Sequence, residues 1–235
     1  MRLSDYELCI LIGGQRVDEQ LDKGSETTWI AVPRGQEFEL FVRNDSCQRV
    51  LAVPTIDGLS VMDGKPGSWV SGGYVVEPAS QMIIPGWRLD NDNVARFEFG
   101  TIAQGYASQM GYSPRNVGVI ACAFFAEAKM PAQIAPPHRH TSSAPFDNGA
   151  YDNGGSFDNG GTTIQTSSVK KNVQATTDDI AVGFGSRASH KTIVVSFKRA
   201  SETPDAVLEI RYDTVRGLKN RGIGCQPPKA WSDNK

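Results

Sequence analysis

Residues 37–43 (EFELFVR) place Phe38, Leu40 and Val42 on one side of an extended chain and Glu37, Glu39 and Arg43 on the other. A period of two suits a strand with one buried face, and a helix would scatter the same apolar residues around its circumference. A largely apolar run at 6–12 precedes this segment, and short strand-like runs follow at 49–53, 73–76, 81–84 and 94–99. Turn residues separate them: Asn44-Asp45-Ser46, Asp57-Gly58, Asp63-Gly64-Lys65-Pro66-Gly67, Glu77-Pro78 and Asp90-Asn91-Asp92-Asn93. Residues 117–125 (VGVIACAFF) are the most apolar run and read as a central strand. Strands at intervals of roughly 8–12 residues, with no helical pattern alternating between them, predict an all-β fold. The expected architecture is an antiparallel β-sandwich, jelly-roll-like, rather than a doubly wound α/β fold.

The pattern stops at Lys129. Residues 1–129 form the expected main sandwich, and 130–168 read as a low-complexity linker or arm rich in Gly, Asn and Pro. Residues 169–225 resume as a C-terminal β segment packed on the same assembly. Its expected strands lie at 181–185, 192–197 (TIVVSF) and 207–212 (VLEIRY), with a short helical turn within 213–220. A polar tail occupies 226–235, with Trp231 as its anchor.

Charge and hydropathy narrow the function classes. A net charge of −2 excludes a strongly basic nucleic-acid binder by composition, and no sequence-specific nucleic-acid partner is expected. No run approaches the roughly 18 apolar residues of a membrane-spanning helix. Asp5 and Glu7 stand where a secretion signal would be basic, so export by a classical signal is not expected. Cys9, Cys47, Cys122 and Cys225 are scattered without a CxxC pair, which fits synthesis in a reducing compartment. Residues 1–165 carry 12 basic and 19 acidic side chains, whereas 166–235 carry 12 and 7. Such polarity either steers head-to-tail docking or merely solvates two surfaces of different sign.

Phe146, Tyr151 and Phe157 each open an aromatic-Asp-Asn-Gly unit. Asn-Gly favours tight turns, so the units suit an assembly arm that lodges rings in a neighbouring subunit, a sugar-stacking surface, or a plain spacer. Trp69, Tyr74, Trp87 and Arg88 are the candidate ligand or interface residues, with Trp87 also suiting the edge of the core and Arg88 a stack or an acid such as Asp90 or Asp92. His138-Arg139-His140 lacks further ligands for a metal, and the third histidine, His190, is distant in sequence. Asp90–Asn93 lacks the glycine and the next oxygen ligand of a calcium loop and reads as a hairpin turn. Residues 183–187 (GFGSR) do not match a phosphate loop and read as a β-turn. No nucleophile motif is present, so no catalytic residue, metal or cofactor is assigned.

Several motifs together resemble a mostly uncharacterised β-protein family encoded in bacterial and large DNA virus genomes. They are Arg49–Val53, Asp57-Gly58-Leu59, Asp63-Gly64, Gly73-Tyr74-Val75 with Pro78, Gly86-Trp87-Arg88, Asn116–Ile120, Val195–Ala200 with Pro204, and Ile210–Asp213. The resemblance implies one ancestral unit spanning both halves and a structural, capsid-associated role, and it carries over no catalytic residue. The chain departs from the family pattern at 183–189, where GFGSRAS replaces a Gly-x-Gly-His-Gly-like segment. The expected function is a non-enzymatic, homo-oligomeric subunit that partners itself and other structural proteins, most simply a virion or capsid protein made in host cytoplasm. The alternative is a β-sandwich module that binds carbohydrate or another surface ligand through Trp69, Tyr74 and Trp87.

Overall fold

Inward-facing Phe38, Leu40 and Val42 are almost wholly buried, as their alternation requires. They lie on β6 (Gln36–Asn44), the strand around which the first of two sheets is built. The computed structural model describes residues 1–22, 24–112, 116–129 and 180–224, and the aromatic units at Phe146, Tyr151 and Phe157 lie outside them, as do His138 and His140. Residues on both sides of 130–175 belong to one compact unit.

In chain order the strands are β1 (Arg2–Leu3), β2 (Tyr6–Ile12), β3 (Gln15–Arg16), β4 (Glu19–Asp22), β5 (Thr27–Ala31), β6, β7 (Val50–Ile56), β8 (Leu59–Ser60) and β9 (Tyr74–Val76). They continue as β10 (Ser80–Ile84), β11 (Gly86–Arg88), β12 (Asn93–Thr101), β13 (Val119–Ala126), β14 (Ile180–Ser189) and β15 (Ala206–Asp213). Helices are short: α1 (Tyr106–Gln109) and α2 (Val215–Asn220). Among the described residues no helix is long and apolar enough to cross a membrane.

The first sheet runs β1-β2-β6-β12-β11, with β10 also on β6, β14 on β12 and β3 on β2. The second runs β4-β5-β15-β13-β7-β8, with β9 also on β7. The sheets pack as an all-β sandwich. All pairings are antiparallel except β15 with β5, which makes the second sheet mixed. Central β13 turns Ile120, Cys122 and Phe124 inward, each fully buried. Tyr6 of the first sheet stacks on Phe124 of the second at 4.6 Å, and Phe99 meets Tyr212 at 5.1 Å. Burying each such ring contributes about 1.5–3 kcal/mol, so these contacts hold the layers together. Cys122 is a thiol without a disulfide, its pKa raised by burial, and it serves as a small apolar filler.

Two expectations are corrected, and one strand boundary is explained. Residues 80–88 hold two strands divided at Pro85: β10 pairs β6, and β11 pairs β12. Proline lacks the N–H a continuous ladder needs. Residues 183–187 are not an isolated turn but part of β14, where the register against β12 shifts between Ala95 and Phe97. The glycines signal that bulge, and Glu37 fastens it by accepting from the Ser186 N–H at 2.7 Å. Residues 192–197 form no strand, and Phe197 packs on the outer face of the second sheet, against Leu51, Val53, Ala123 and Phe125.

Candidate functional site

The outer face of the second sheet carries a concavity of about 470 Å³. Its floor is a consequence of sequence. The outward positions of β13 at its centre are Ala121 and Ala123, whose small side chains leave a trough between bulkier neighbours. Ladder register sets Thr55 and Glu209 beside Ala121, and Val53 and Val207 beside Ala123. Residues 67–69 and Asn116 close one end. Gly67 must be glycine here, because a Cβ would sit 2.7 Å from Thr55 Cγ2, and its N–H donates to the Gly58 carbonyl at 2.8 Å.

Chemically the trough offers an exposed indole, one carboxylate and small polar groups. Trp69 is 52% exposed. Glu209 pairs with Arg211 at 3.1 Å, both well exposed, so the pair contributes little to stability. Among the described residues no group of three His, Cys, Asp or Glu side chains comes together as metal ligands. Trp69→Ala is expected to change stability by less than about 0.5 kcal/mol in urea denaturation, because the ring packs into no core cluster.

The other three sequence candidates lie elsewhere, buried or partly buried. Trp87 is 2% exposed, and its indole N–H donates to the Gly183 carbonyl at 3.1 Å. Tyr74 is equally enclosed, with Arg88 stacked 5.5 Å from its ring centroid. Arg88 reaches the backbone carbonyl of Asp90 at 3.1 Å and the Thr192 hydroxyl, rather than an acidic side chain. The Asp90 carboxylate instead accepts from the Asp92 and Asn93 N–H groups, both at 2.8 Å, which makes residues 90–93 the hairpin turn between β11 and β12. Trp69 therefore stands apart from Trp87 and Tyr74, and the three do not present one exposed aromatic platform.

A second surface feature was legible only as a wrongly assigned strand. After β14 the chain is tied at Thr192 to Asn91 and rejoins β13 where the Ala128 N–H donates to the Lys198 carbonyl at 2.8 Å. Between those ties, the backbone groups of 193–197 make no hydrogen bond to any described residue. Ile193, Val194 and Val195 are 88, 82 and 49% exposed. Lys191 and Lys198 flank this apolar run.

Asp57 was singled out only as a turn residue, yet it forms a buried, multiply hydrogen-bonded polar centre that joins the two sheets. One oxygen accepts from the Gly118 N–H and the other from the Val182 N–H, each at 2.9 Å. The Tyr212 hydroxyl donates between both oxygens, at 2.6 and 2.8 Å. Burial pushes the carboxyl up to about 6 against the opposing pull of these donors. No sequence signal distinguishes this Asp-Gly from an exposed turn; its partners lie 61, 125 and 155 residues away.

Comparison with protein-family models, curated proteins and solved structures finds no match. Function must be argued from the surface itself.

Proposed function

We propose that this chain is a non-enzymatic structural subunit that joins copies of itself head to tail, with residues 191–198 of one copy adding as a strand to β4 of the next. The exposed run Ile193-Val194-Val195 carries this reading, because β-branched residues suit a pleated ladder and these have none among the described residues. β4 is the edge of the second sheet, with Leu21 60% exposed and Asp18, Glu19 and Asp22 around it. Lys191 and Lys198 are complementary to that acidic edge and would set the register. Donor and acceptor surfaces differ, so the contact is heterologous and builds a ring or an open chain. A virion or capsid setting rests on the family resemblance.

The test is absolute mass by light scattering after size exclusion, at low and high salt. The expected low-salt mass is a multiple of 25.5 kDa that falls as salt rises. Val194→Asp should return the 25.5 kDa species with an unchanged melting temperature, since Val194 is 82% exposed. A wild-type protein at 25.5 kDa under both conditions overturns the proposal.

A second reading, a ligand-binding module, is favoured by the trough beside exposed Trp69. Its test is a glycan-array signal that Trp69→Ala abolishes.

A further inference from the structure

Three side chains from separate elements bring idle polar atoms to one place. Tyr74 opens β9, Arg88 ends β11, and His190 follows β14. The Tyr74 hydroxyl, Arg88 Nε and Nη2, and His190 Nδ1 are all buried, and among the described residues none of these atoms makes a hydrogen bond of normal geometry. Tyr74 itself is only 5% exposed. The surrounding backbone holds the group in place. The Arg88 N–H donates to the Val61 carbonyl at 3.1 Å, and the His190 N–H to that of Asp92 at 2.8 Å.

Arg88 uses only Nη1, on Asp90 and Thr192. That leaves the Nε–Nη2 edge, the side of a guanidinium whose two parallel N–H groups match an anion bidentately. The guanidinium is half-buried, and its Nε and Nη2 atoms, like the Tyr74 hydroxyl, are shut off from solvent, so leaving them unpaired is unfavourable. Water would satisfy donors but leave the charge uncompensated. The nearby imidazole cannot compensate it either: burial and the Arg88 charge lower the His190 pKa, so that ring is held neutral. Buried donors left idle on Tyr74 and on the neighbouring guanidinium call for an acceptor that is small and negative.

We propose that Tyr74, Arg88 and His190 bind one small monoanion, a halide or a formate-sized carboxylate, on the Nε–Nη2 edge of the guanidinium. The anion receives the Arg88 fork and the Tyr74 hydroxyl, and its charge would make protonation of the neutral His190 ring beside Arg88 less unfavourable.

The test follows melting temperature and the His190 ring titration by NMR while chloride, and in a second series formate, replaces a bulky organic anion at constant ionic strength. His190→Gln identifies the resonance. The expected result is a saturable rise in melting temperature together with an upward shift of the His190 pKa. Saturation by chloride at the lower concentration assigns a halide, and by formate a carboxylate. Arg88→Met should abolish both responses. Tyr74→Phe, which removes only the hydroxyl, should raise the half-saturating concentration about tenfold. Readouts indifferent to both anions, or a saturable response that survives in Arg88→Met or is unaltered in Tyr74→Phe, overturn the proposal.

Discussion

Asp57→Ala is expected to lower the unfolding free energy by about 4 kcal/mol at pH 5, measured by urea denaturation. The substitution strands the Gly118 and Val182 N–H groups and the Tyr212 hydroxyl, all aimed at the missing carboxyl. Each unpaired buried donor costs about 1–3 kcal/mol. Asp57 also has φ +52°, a left-handed conformation that Asp tolerates better than Ala. Because Val182 belongs to the first sheet while Tyr212 and Gly118 lie on or beside strands of the second, this loss loosens the sandwich between its layers. A loss below about 1 kcal/mol would show that the centre is incidental.

The same residue fixes the direction of a pH effect. Its folded pKa of about 6 lies above the ordinary 3.8, so the folded state holds the proton more tightly. Stability from this group is full below pH 3.8 and is lost as pH rises through about 6, a difference of about 3 kcal/mol. The cost of Asp57→Ala should therefore be smaller at pH 7.5 than at pH 5, because the wild type already bears a buried charge there. His190, with its lowered pKa, works oppositely and loses stability as pH falls below 6.5. Glu7 and Glu37, whose pKa values are lowered by Arg16 and Ser186, lose stability only below about pH 4.5. The wild-type profile minus that of Asp57→Asn isolates the Asp57 contribution. A flat difference between pH 4 and pH 7 would refute it.

Burial alternation was the part of the fold that sequence displayed. Phe38, Leu40 and Val42 encode β6 because each inward position is apolar while Glu37, Glu39 and Arg43 alternate with them; Phe41 alone breaks the pattern and packs with Cys9 and Leu11 on the other face. The pair β4 and β5 carries no such signal: EQLD has one apolar residue, and TTWIA gains its place from a parallel partner, β15, some 180 residues later. Residues 192–197 show the reverse failure. A β-branched run looks like a strand whether or not it finds a ladder, and here none of the described residues supplies one. The site was less legible than the fold for one physical reason. Asp57, Tyr74, Arg88 and His190 matter through partners distant in sequence, and local spacing records only neighbours.

Trp87 is the residue on which core and recognition readings diverge most. Trp87→Ala is expected to cost about 4 kcal/mol, as for other large aromatics deleted from a packed interior. The ring meets Tyr106, Phe97 and Phe184 at centroid distances of 4.9, 5.4 and 6.2 Å, and all three contacts are lost with it. β11 also approaches β12 too closely to shift: a Cβ on the preceding Gly86 would lie 2.1 Å from the Ala95 carbonyl oxygen. Trp87→Phe keeps an aromatic ring but leaves the Gly183 carbonyl without its donor, an expected loss of about 1–2 kcal/mol. Urea midpoints falling in that order would establish Trp87 as the rivet between β11 and the bulged strand β14. Unchanged midpoints would return it to the ligand-binding candidates. The same rivet bears on Arg88 and His190, since Arg88 is the next residue on β11 and His190 follows the end of β14. Trp87→Ala should therefore also weaken anion-dependent stabilisation, although the indole touches no part of that cluster's free edge.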